Sequence, residues 1–208
     1  MKHKNKYSIY TLDIELVNFL RGDGKYNNRP LNEIDKQIYS HFGQNRQYTD
    51  KYIGIIIEFQ SKFYFAPLTH DGNKSWYKRQ KTCDFEMIYD AFDKYAGSLL
   101  LCKALPLTSQ LVKYHSLKDI ARTEGQQYSK LCEAELDYLN SSDIHDVIQT
   151  KMLDCIYGKE SLYKKFRVNY QLVEKNVKEY NEMLKQQELL INKPHNNESG
   201  NGSSKVLS

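Results

Sequence analysis

Hydrophobic residues in the first part of the chain follow patterns that predict a strand, a helix and a hairpin. Residues 7–12 (YSIYTL) are rich in β-forming residues, and residues 14–21 (IELVNFLR) have the spacing of a short helix that stops at Gly22. Residues 52–59 (YIGIIIEF) and 62–68 (KFYFAPL) are apolar runs separated by two polar residues. This arrangement predicts a β-hairpin at the centre of a sheet.

Two prolines mark the predicted ends of buried strands. Pro67 has no amide N–H to donate, so we expect the second hairpin strand to end there and a loop to follow over residues 69–81. The apolar run at 99–107 (LLLCKALPL) predicts a further buried strand that ends at Pro106. The polar segment 22–50 predicts a long connection with at most a helical turn or two.

The hydrophobic period changes to that of helices after Gly125. Residues 128–139 and 144–156 predict two helices that pack as a hairpin and end at Gly158. A third amphipathic pattern over residues 162–190 predicts a helix that covers the sheet.

Length and composition favour one domain. The chain has 208 residues, of which 40% are hydrophobic, so it can bury one core but is short for two. We expect a single domain over residues 1–192 and a disordered tail over 193–208. No run approaches about 18 consecutive apolar residues, so we expect no membrane helix. The basic N-terminus lacks the apolar run of a signal peptide, which predicts a cytoplasmic protein.

The cysteines predict neither a disulfide framework nor a metal site. Cys83, Cys102, Cys132 and Cys155 are scattered, with no C-x-x-C pair and no histidine at ligand spacing. We expect reduced thiols in or near the core, and no metal or cofactor. Patterns for a P-loop, a dinucleotide site or a G-x-S-x-G hydrolase are also absent from the sequence, which leaves binding or phosphate chemistry.

The loop after the hairpin carries the most versatile chemistry. Thr69, His70 and Lys74 place hydroxyl, imidazole and ammonium groups at the end of a buried strand. The next segment combines cations with aromatic rings and contains no acid; it includes Lys74, Trp76, Tyr77, Lys78, Arg79 and Lys81. This mixture is typical of single-stranded nucleic-acid binding. A solvated arm and a plain turn remain the alternative interpretations, and the net charge of +4 permits a nucleic-acid partner without requiring one.

Several segments resemble, in the same order, the ToxN/AbiQ endoribonucleases, which are toxins of type III toxin–antitoxin systems. Residues 10–12 (YTL) precede a helix, and 52–58 lead through a tight turn to 64–69 (YFAPLT), the most specific match. Residues 99–107 resemble the family's third core strand, and 128–158 resemble its paired helices.

The resemblance implies a fold and a function. The fold is α+β: a compact, strongly bent antiparallel β-sheet with a small barrel-like core, flanked by helices and followed here by a long C-terminal helix. The function is that of a metal-independent endoribonuclease toxin, which would cut cellular or phage RNA by attack of the ribose 2′-OH. Its implied partner is a small repeat RNA antitoxin in a toxin–RNA hetero-oligomer that serves phage defence.

The resemblance also assigns site residues. The family's active site combines a Pro-Leu-Thr/Ser-Ser-x-Lys loop with a Tyr and a Lys before the first hairpin strand. The Thr/Ser position is Thr69, the Tyr resembles Tyr48 and the Lys resembles Lys51. Lys51 sits one residue nearer the strand than in the family, so Arg46 or Tyr52 are alternatives.

The loop itself departs from the family in two places. His70 stands where the family has Ser, and the loop lysine, Lys74, comes two residues later. Histidine exchanges protons near pH 7, so His70 is the candidate acid or base. Lys51 and Lys74 would stabilise the phosphorane, Thr69 would hold a phosphate oxygen, and Tyr48 would orient or stack on a base. The same departures favour the competing hypothesis, a non-catalytic RNA-binding or protein-binding module on this scaffold.

Overall fold

The computed structural model describes residues 6–22, 26, 53–69, 84–107, 111–141, 143–158 and 169–191. These residues form an α+β fold with one seven-stranded antiparallel sheet, as the sequence predicted. The strands are β1 (Ile9–Leu12), β2 (Ile53–Phe59), β3 (Lys62–Thr69), β4 (Glu86–Tyr89), β5 (Tyr95–Leu99), β6 (Leu105–Leu107) and β7 (Val112–His115). The α-helices are α1 (Ile14–Arg21), α2 (Leu117–Glu124), α3 (Gln126–Leu139), α4 (Ile144–Tyr157) and α5 (Tyr170–Ile191).

The β2–β3 hairpin lies at the centre of the sheet, as predicted. The strand order is β4-β5-β3-β2-β1-β7, and β6 also pairs with β3. Within the described residues three strands keep an unpaired edge, β4, β6 and β7, so the expected barrel-like core is not closed.

The prediction that β3 ends at Pro67 was wrong. Pro67 pairs with Gly54 of β2, and β3 continues to Thr69. On the edge of β3 away from β2, the partner is β6 up to Phe65 and β5 from Leu68 onward, and the Pro67 carbonyl accepts the Leu100 amide at 2.9 Å. The proline therefore stands where β3 changes partner, and its missing N–H interrupts no continuous ladder.

The prediction of one strand over 99–107 was also wrong. Strand β5 ends at Leu99, a 3-10 helix follows at Leu101–Lys103, and β6 then pairs with the first half of β3. Pro106 lies inside β6, opposite Tyr64, and does not end it. An apolar run reports burial, and burial alone does not distinguish a strand from a buried turn.

Three elements had no hydrophobic pattern that predicted them: β4, β7 and α2. The two strands have four residues each, too few for a clear alternation. Helix α2 begins with a capping box, in which the Ser116 hydroxyl accepts the Asp119 amide at 3.2 Å and Asp119 bonds back to Ser116. Capping chemistry of this kind is visible in the sequence.

The larger core fills the space between the sheet and helices α2 to α4. Alternate residues of β3, including Tyr64, Ala66 and Leu68, face this core. The two predicted helices that became α3 and α4 both contribute, and three cysteines are buried there or at its margin: Cys102, Cys132 and Cys155. The expected position of the thiols, in or near the core, is therefore confirmed for these three; Cys83 lies outside the described residues.

A second core lies under α1 and α5. Phe65 points away from the first core and is fully buried against Leu105, Leu16 and the α5 residue Val177. Strand β3 is thus covered on both faces, which explains its continuous apolar sequence. Helix α5 covers the sheet as predicted, although its predicted first residues, 162–169, lie before the helix or outside the described part of the chain.

Candidate functional site

Thr69 lies at the end of the central strand β3. Thr69 is the last residue of the strand and is partly buried, and its partner in register is Ser98 of β5. Ser98 is fully buried and its Oγ lies 2.8 Å from Tyr95 Oη. The backbone ladder therefore fixes the point from which the predicted reactive loop leaves the sheet.

The chain returns to the sheet at β4, and charged side chains hold it there. Glu86 accepts hydrogen bonds from Tyr138 Oη of α3 at 2.8 Å and from Lys151 Nζ of α4 at 2.5 Å. Lys151 Nζ also donates to the Phe85 carbonyl at 2.9 Å. Burial, and then the hydrogen bond to Glu86, raise the pKa of Tyr138. Both ends of segment 70–83 are thus attached to rigid elements.

A glycine and a buried carboxylate meet beside Thr69. Gly97 of β5 has no side chain, and a Cβ there would overlap Glu135 Oε1 of α3 and come within 2.9 Å of the Thr69 carbonyl oxygen. Glu135 is fully buried. Because a larger residue at position 97 would push these groups apart, glycine allows the carboxylate to approach the end of β3.

Of the ten site residues predicted from the sequence, the structure describes Thr69. The other nine lie outside the described residues: Tyr48, Lys51, His70, Lys74, Trp76, Tyr77, Lys78, Arg79 and Lys81. The alternatives Arg46 and Tyr52 lie outside them as well. Thr69 occupies the position expected of it, at the end of the central strand, and its role stays a prediction.

Two histidines make contacts elsewhere in the described part of the protein. His115 Nε2 of β7 lies 2.8 Å from the Thr11 hydroxyl, and His145 Nδ1 of α4 lies 3.0 Å from Tyr7 Oη. Burial, and then the charge of Asp146, raise the pKa of Tyr7 to about 12. Within the described ranges, no group of three or more His, Cys, Asp or Glu side chains is arranged to hold a metal ion.

Ser98, Gly97 and Glu135 had not been selected from the sequence. Ser98 and Gly97 belong to β5, whose first residues had no predictive pattern, and Glu135 stands one turn from Leu131 and Leu139 in a helix that is otherwise amphipathic. A glutamate on the apolar face of a predicted helix is the one signal that could have identified it, because charged residues are seldom buried without a reason.

Fold and site together describe a small α+β protein whose central strand β3 ends at Thr69, beside a buried glutamate of α3. Residues 8–178 match the sequence profile of the toxin ToxN of type III toxin–antitoxin systems. This match spans most of the chain. The chain therefore belongs to the ToxN toxin family.

Solved structures with the same fold include three from type III toxin–antitoxin or antiviral systems. One comes from work on selective toxin inhibition by a non-coding RNA pseudoknot; it is 18% identical, has a TM-score of 0.63, and the match covers 86% of this chain and 99% of that one. AbiQ, a lactococcal anti-phage endoribonuclease of the type III class, is 15% identical with a TM-score of 0.58 and the same coverage.

The third structure concerns a processed non-coding RNA that regulates a bacterial antiviral system. It is 17% identical with a TM-score of 0.55, and the match covers 83% of this chain and 98% of that one. At these identities the similarity shows the shared fold. Among curated protein sequences, none matches this chain. In the described part of the chain, no helix has the length and apolar character needed to span a membrane.

Proposed function

We propose that this chain is a toxin that cuts single-stranded RNA without a metal ion. The observation that carries the proposal is membership of the ToxN family over residues 8–178, a family whose fold is shared by AbiQ, an endoribonuclease. The position of Thr69 at the end of the central strand supports it, because the resemblance predicts a phosphate-binding hydroxyl there.

The proposed reaction is an internal transesterification. A base takes the proton of the ribose 2′-OH, O2′ forms a bond to phosphorus, and the bond from phosphorus to O5′ breaks as an acid protonates O5′. The products are a 2′,3′-cyclic phosphate and a 5′-OH. His70 would serve as the acid or base, Lys51 and Lys74 would stabilise the charged phosphorane, Thr69 would hold a phosphate oxygen and Tyr48 would orient a base.

The proposal includes an RNA partner. One relative is inhibited by a non-coding RNA pseudoknot, and we extend this to a small repeat RNA that binds the present chain as an antitoxin in a toxin–RNA hetero-oligomer. The cationic and aromatic segment 74–81 would contact it. The catalytic domain would comprise residues 1–192, with 193–208 as a tail, and would act in the cytoplasm on cellular or phage RNA.

Incubation with RNA in EDTA tests the reaction. We expect cleavage to persist, to leave a 2′,3′-cyclic phosphate and a 5′-OH, and to fail on a substrate that carries a 2′-deoxy at the cut site. If the protein binds RNA but leaves it intact, it is a binding module on this scaffold, and the catalytic proposal is wrong.

Histidine substitution tests the assignment of the acid or base. His70→Ala should slow cleavage by roughly 10² to 10⁴, the usual effect of losing general acid–base catalysis. The matched control is His115→Ala, since His115 lies on the edge strand β7, where it contacts Thr11. Thr69→Ala should slow the cut and keep the pH dependence. A His70 variant with the parent's rate and pH profile would transfer the proton chemistry to Tyr48 and the lysines.

Charge reversal tests the antitoxin interface. A triple variant with Glu at Lys78, Arg79 and Lys81 should bind the cognate repeat RNA more weakly and with a smaller salt dependence, because fewer phosphates are neutralised.

The matched control reverses three exposed lysines on helices, Lys130, Lys175 and Lys185. Titrations at several salt concentrations compare the two variants. Equal slopes for the parent and the first variant would remove segment 74–81 from the interface.

A further inference from the structure

Strand β7 lies at an edge of the sheet and carries an exposed aromatic ring. Within the described residues β7 pairs with β1 alone, so the other side of its backbone is open. Tyr114 of β7 is 58% exposed. Its ring packs edge-to-face against Tyr10 of β1 with the ring centroids 5.9 Å apart, and Tyr10 packs on the second core under α1 and α5. The ring of Tyr114 is therefore both accessible and held in place.

The sequence around this edge is positively charged. Residues 6–12 and 111–118, which contain β1 and β7, include three lysines and no acidic residue. The lysines are Lys6, Lys113 and Lys118, and all three are exposed. The next acids along the chain, Asp13 and Asp119, are bonded within the protein. Asp13 accepts an amide at the start of α1, and Asp119 accepts the amide and hydroxyl of Ser116 at the start of α2.

An accessible aromatic ring among lysines fits single-stranded nucleic acid, because a base can stack on the ring while the cations bind phosphates. Lysine on an edge strand also discourages pairing with other chains. That role accounts for Lys113 alone and gives no reason for a tyrosine ring held in the open beside it. A peptide strand added to the edge would need pockets for its alternate side chains rather than lysines.

The sheet connects this edge with the end of β3. Tyr114 lies opposite Tyr10, which lies opposite Gly54 of β2. Gly54 in turn lies opposite Pro67 of β3, two residues before Thr69. These residues form one row across four neighbouring strands, so about 15 Å separates the two ends of the row. A few nucleotides of an extended RNA strand span such a distance.

We propose that the edge formed by β1 and β7 binds substrate RNA as a single strand, to one side of the cut. Its contact residues are Lys6, Lys113, Tyr114 and Lys118. A base stacks on the ring of Tyr114, and the lysines bind phosphates of the same strand. The inference rests on the proposed function, which supplies RNA as the substrate. His115 is not part of this surface, because its Nε2 lies 2.8 Å from the Thr11 hydroxyl on the other face of the strand.

Fluorescence anisotropy tests the surface with a labelled 2′-O-methyl oligouridylate of about 12 nucleotides, a length within the range of single-strand sites. The 2′-O-methyl groups block cleavage, so the measurement does not depend on catalysis. Tyr114→Ala should weaken binding by about 10-fold, the effect of losing one stacked base. Tyr114→Phe keeps the ring and should bind as the parent does. Lys113→Glu should weaken binding and reduce its dependence on salt.

Phe92→Ala and Lys94→Glu are the matched controls, since both residues are exposed on the turn between β4 and β5. Both variants should bind the oligonucleotide as the parent does. A duplex RNA of the same length is a second control, because its bases stack on each other, and Tyr114→Ala should not change its binding. If Tyr114→Ala and Lys113→Glu bind the single strand as tightly as the parent, the inference is wrong.

Cleavage kinetics separate the substrate from the antitoxin. On a long RNA whose cut site has been mapped, Tyr114→Ala should raise KM and keep kcat, whereas an RNA trimmed to the nucleotides around the cut should be cut alike by both proteins. A variant that loses affinity for the repeat RNA alone would assign the surface to the antitoxin and overturn the inference. Equal KM values in a parent that cuts RNA would refute the inference alone. A parent that leaves RNA uncut would refute the proposed function, and the substrate assignment with it.

Discussion

Two buried carboxylates, Glu86 and Glu135, lie near the described residues on either side of segment 70–83, and their surroundings differ. Glu86, where the chain returns to the sheet, is bonded by Lys151 and Tyr138 and thereby attaches β4 to two helices. Glu135 lies near Thr69, the last residue of β3, and is more deeply buried than Glu86. The neighbouring Gly97 leaves room for its carboxylate. A carboxylate bonded by side chains of two helices attaches a strand to them, whereas at Glu135 a glycine leaves the room in which a carboxylate can approach the end of a strand.

The largest effect on stability should come from breaking the ion pair between Lys151 and Glu86. Lys151→Met leaves the Glu86 carboxylate buried without its cation, and removing one partner of a buried pair is strongly destabilising. Because Lys151 keeps 26% of its side chain exposed, we expect a loss of about 2–3 kcal/mol in the free energy of unfolding. Urea denaturation measures it. A loss below the effect of an ordinary surface change would show that Glu86 is held by other contacts.

A side chain added at Gly97, next to Thr69, should destabilise the protein nearly as much. Gly97→Ala places a methyl group against Glu135 Oε1 and the Thr69 carbonyl oxygen, and overpacking of this kind costs about 2 kcal/mol. Thermal unfolding measures the loss, and the cleavage rate of the folded variant should fall with it. Full stability and activity would mean that the carboxylate moves away at no cost.

Removing the Tyr138 hydroxyl, which donates to Glu86, should have a smaller effect on stability. Tyr138→Phe removes the donor to Glu86 Oε1 and keeps the ring in place, so we expect a loss of about 1.5 kcal/mol, typical of a hydrogen bond to a charged group. Combined with Lys151→Met, the effect should be non-additive because both residues bond the same carboxylate. A double-mutant cycle tests this, and strict additivity would contradict a shared network.

Alkaline pH should lower the free energy of unfolding through Cys132, which lies on the same helix as Glu135. Burial and Glu135 raise the pKa of its thiol from 9.0 to about 12, so its contribution to stability is present below pH 9 and is lost as pH rises toward 12. The parent should therefore lose more stability over this interval than Cys132→Ala does. Denaturant titrations at pH 8, 10 and 11 give the comparison, and parallel curves would show that the thiol does not contribute.

Deleting the C-terminal tail is the change with the smallest expected effect, because it alters neither the region around Glu86 nor the region around Glu135. Residues 194–208 are too polar to add core, so their removal should alter the free energy of unfolding by no more than roughly 0.5 kcal/mol. A larger loss in urea denaturation would show that the tail docks on the domain.

The sequence by itself determined the main elements of the fold and the place of Thr69 at the end of a central strand. The β-branched run in 52–59, the spacing of apolar residues in 128–156 and the stop at Gly22 are local signals that burial and backbone geometry impose directly. They predicted the central hairpin, the helices α1, α3 and α4, and Thr69 at a strand end. The resemblance carried by residues 64–69 pointed to the family that the profile match then confirmed.

Only the tertiary structure decided how the strands share partners and which polar groups meet. Pro67 could remain inside β3 because the strand changes partner there, and no local pattern encodes a partner 31 residues away, as Leu99 is from Leu68. The approach of Glu135 to Gly97 and Thr69 depends in the same way on three distant segments. Packing and electrostatics act between residues that folding brings together, so such contacts appear only when the chain is folded.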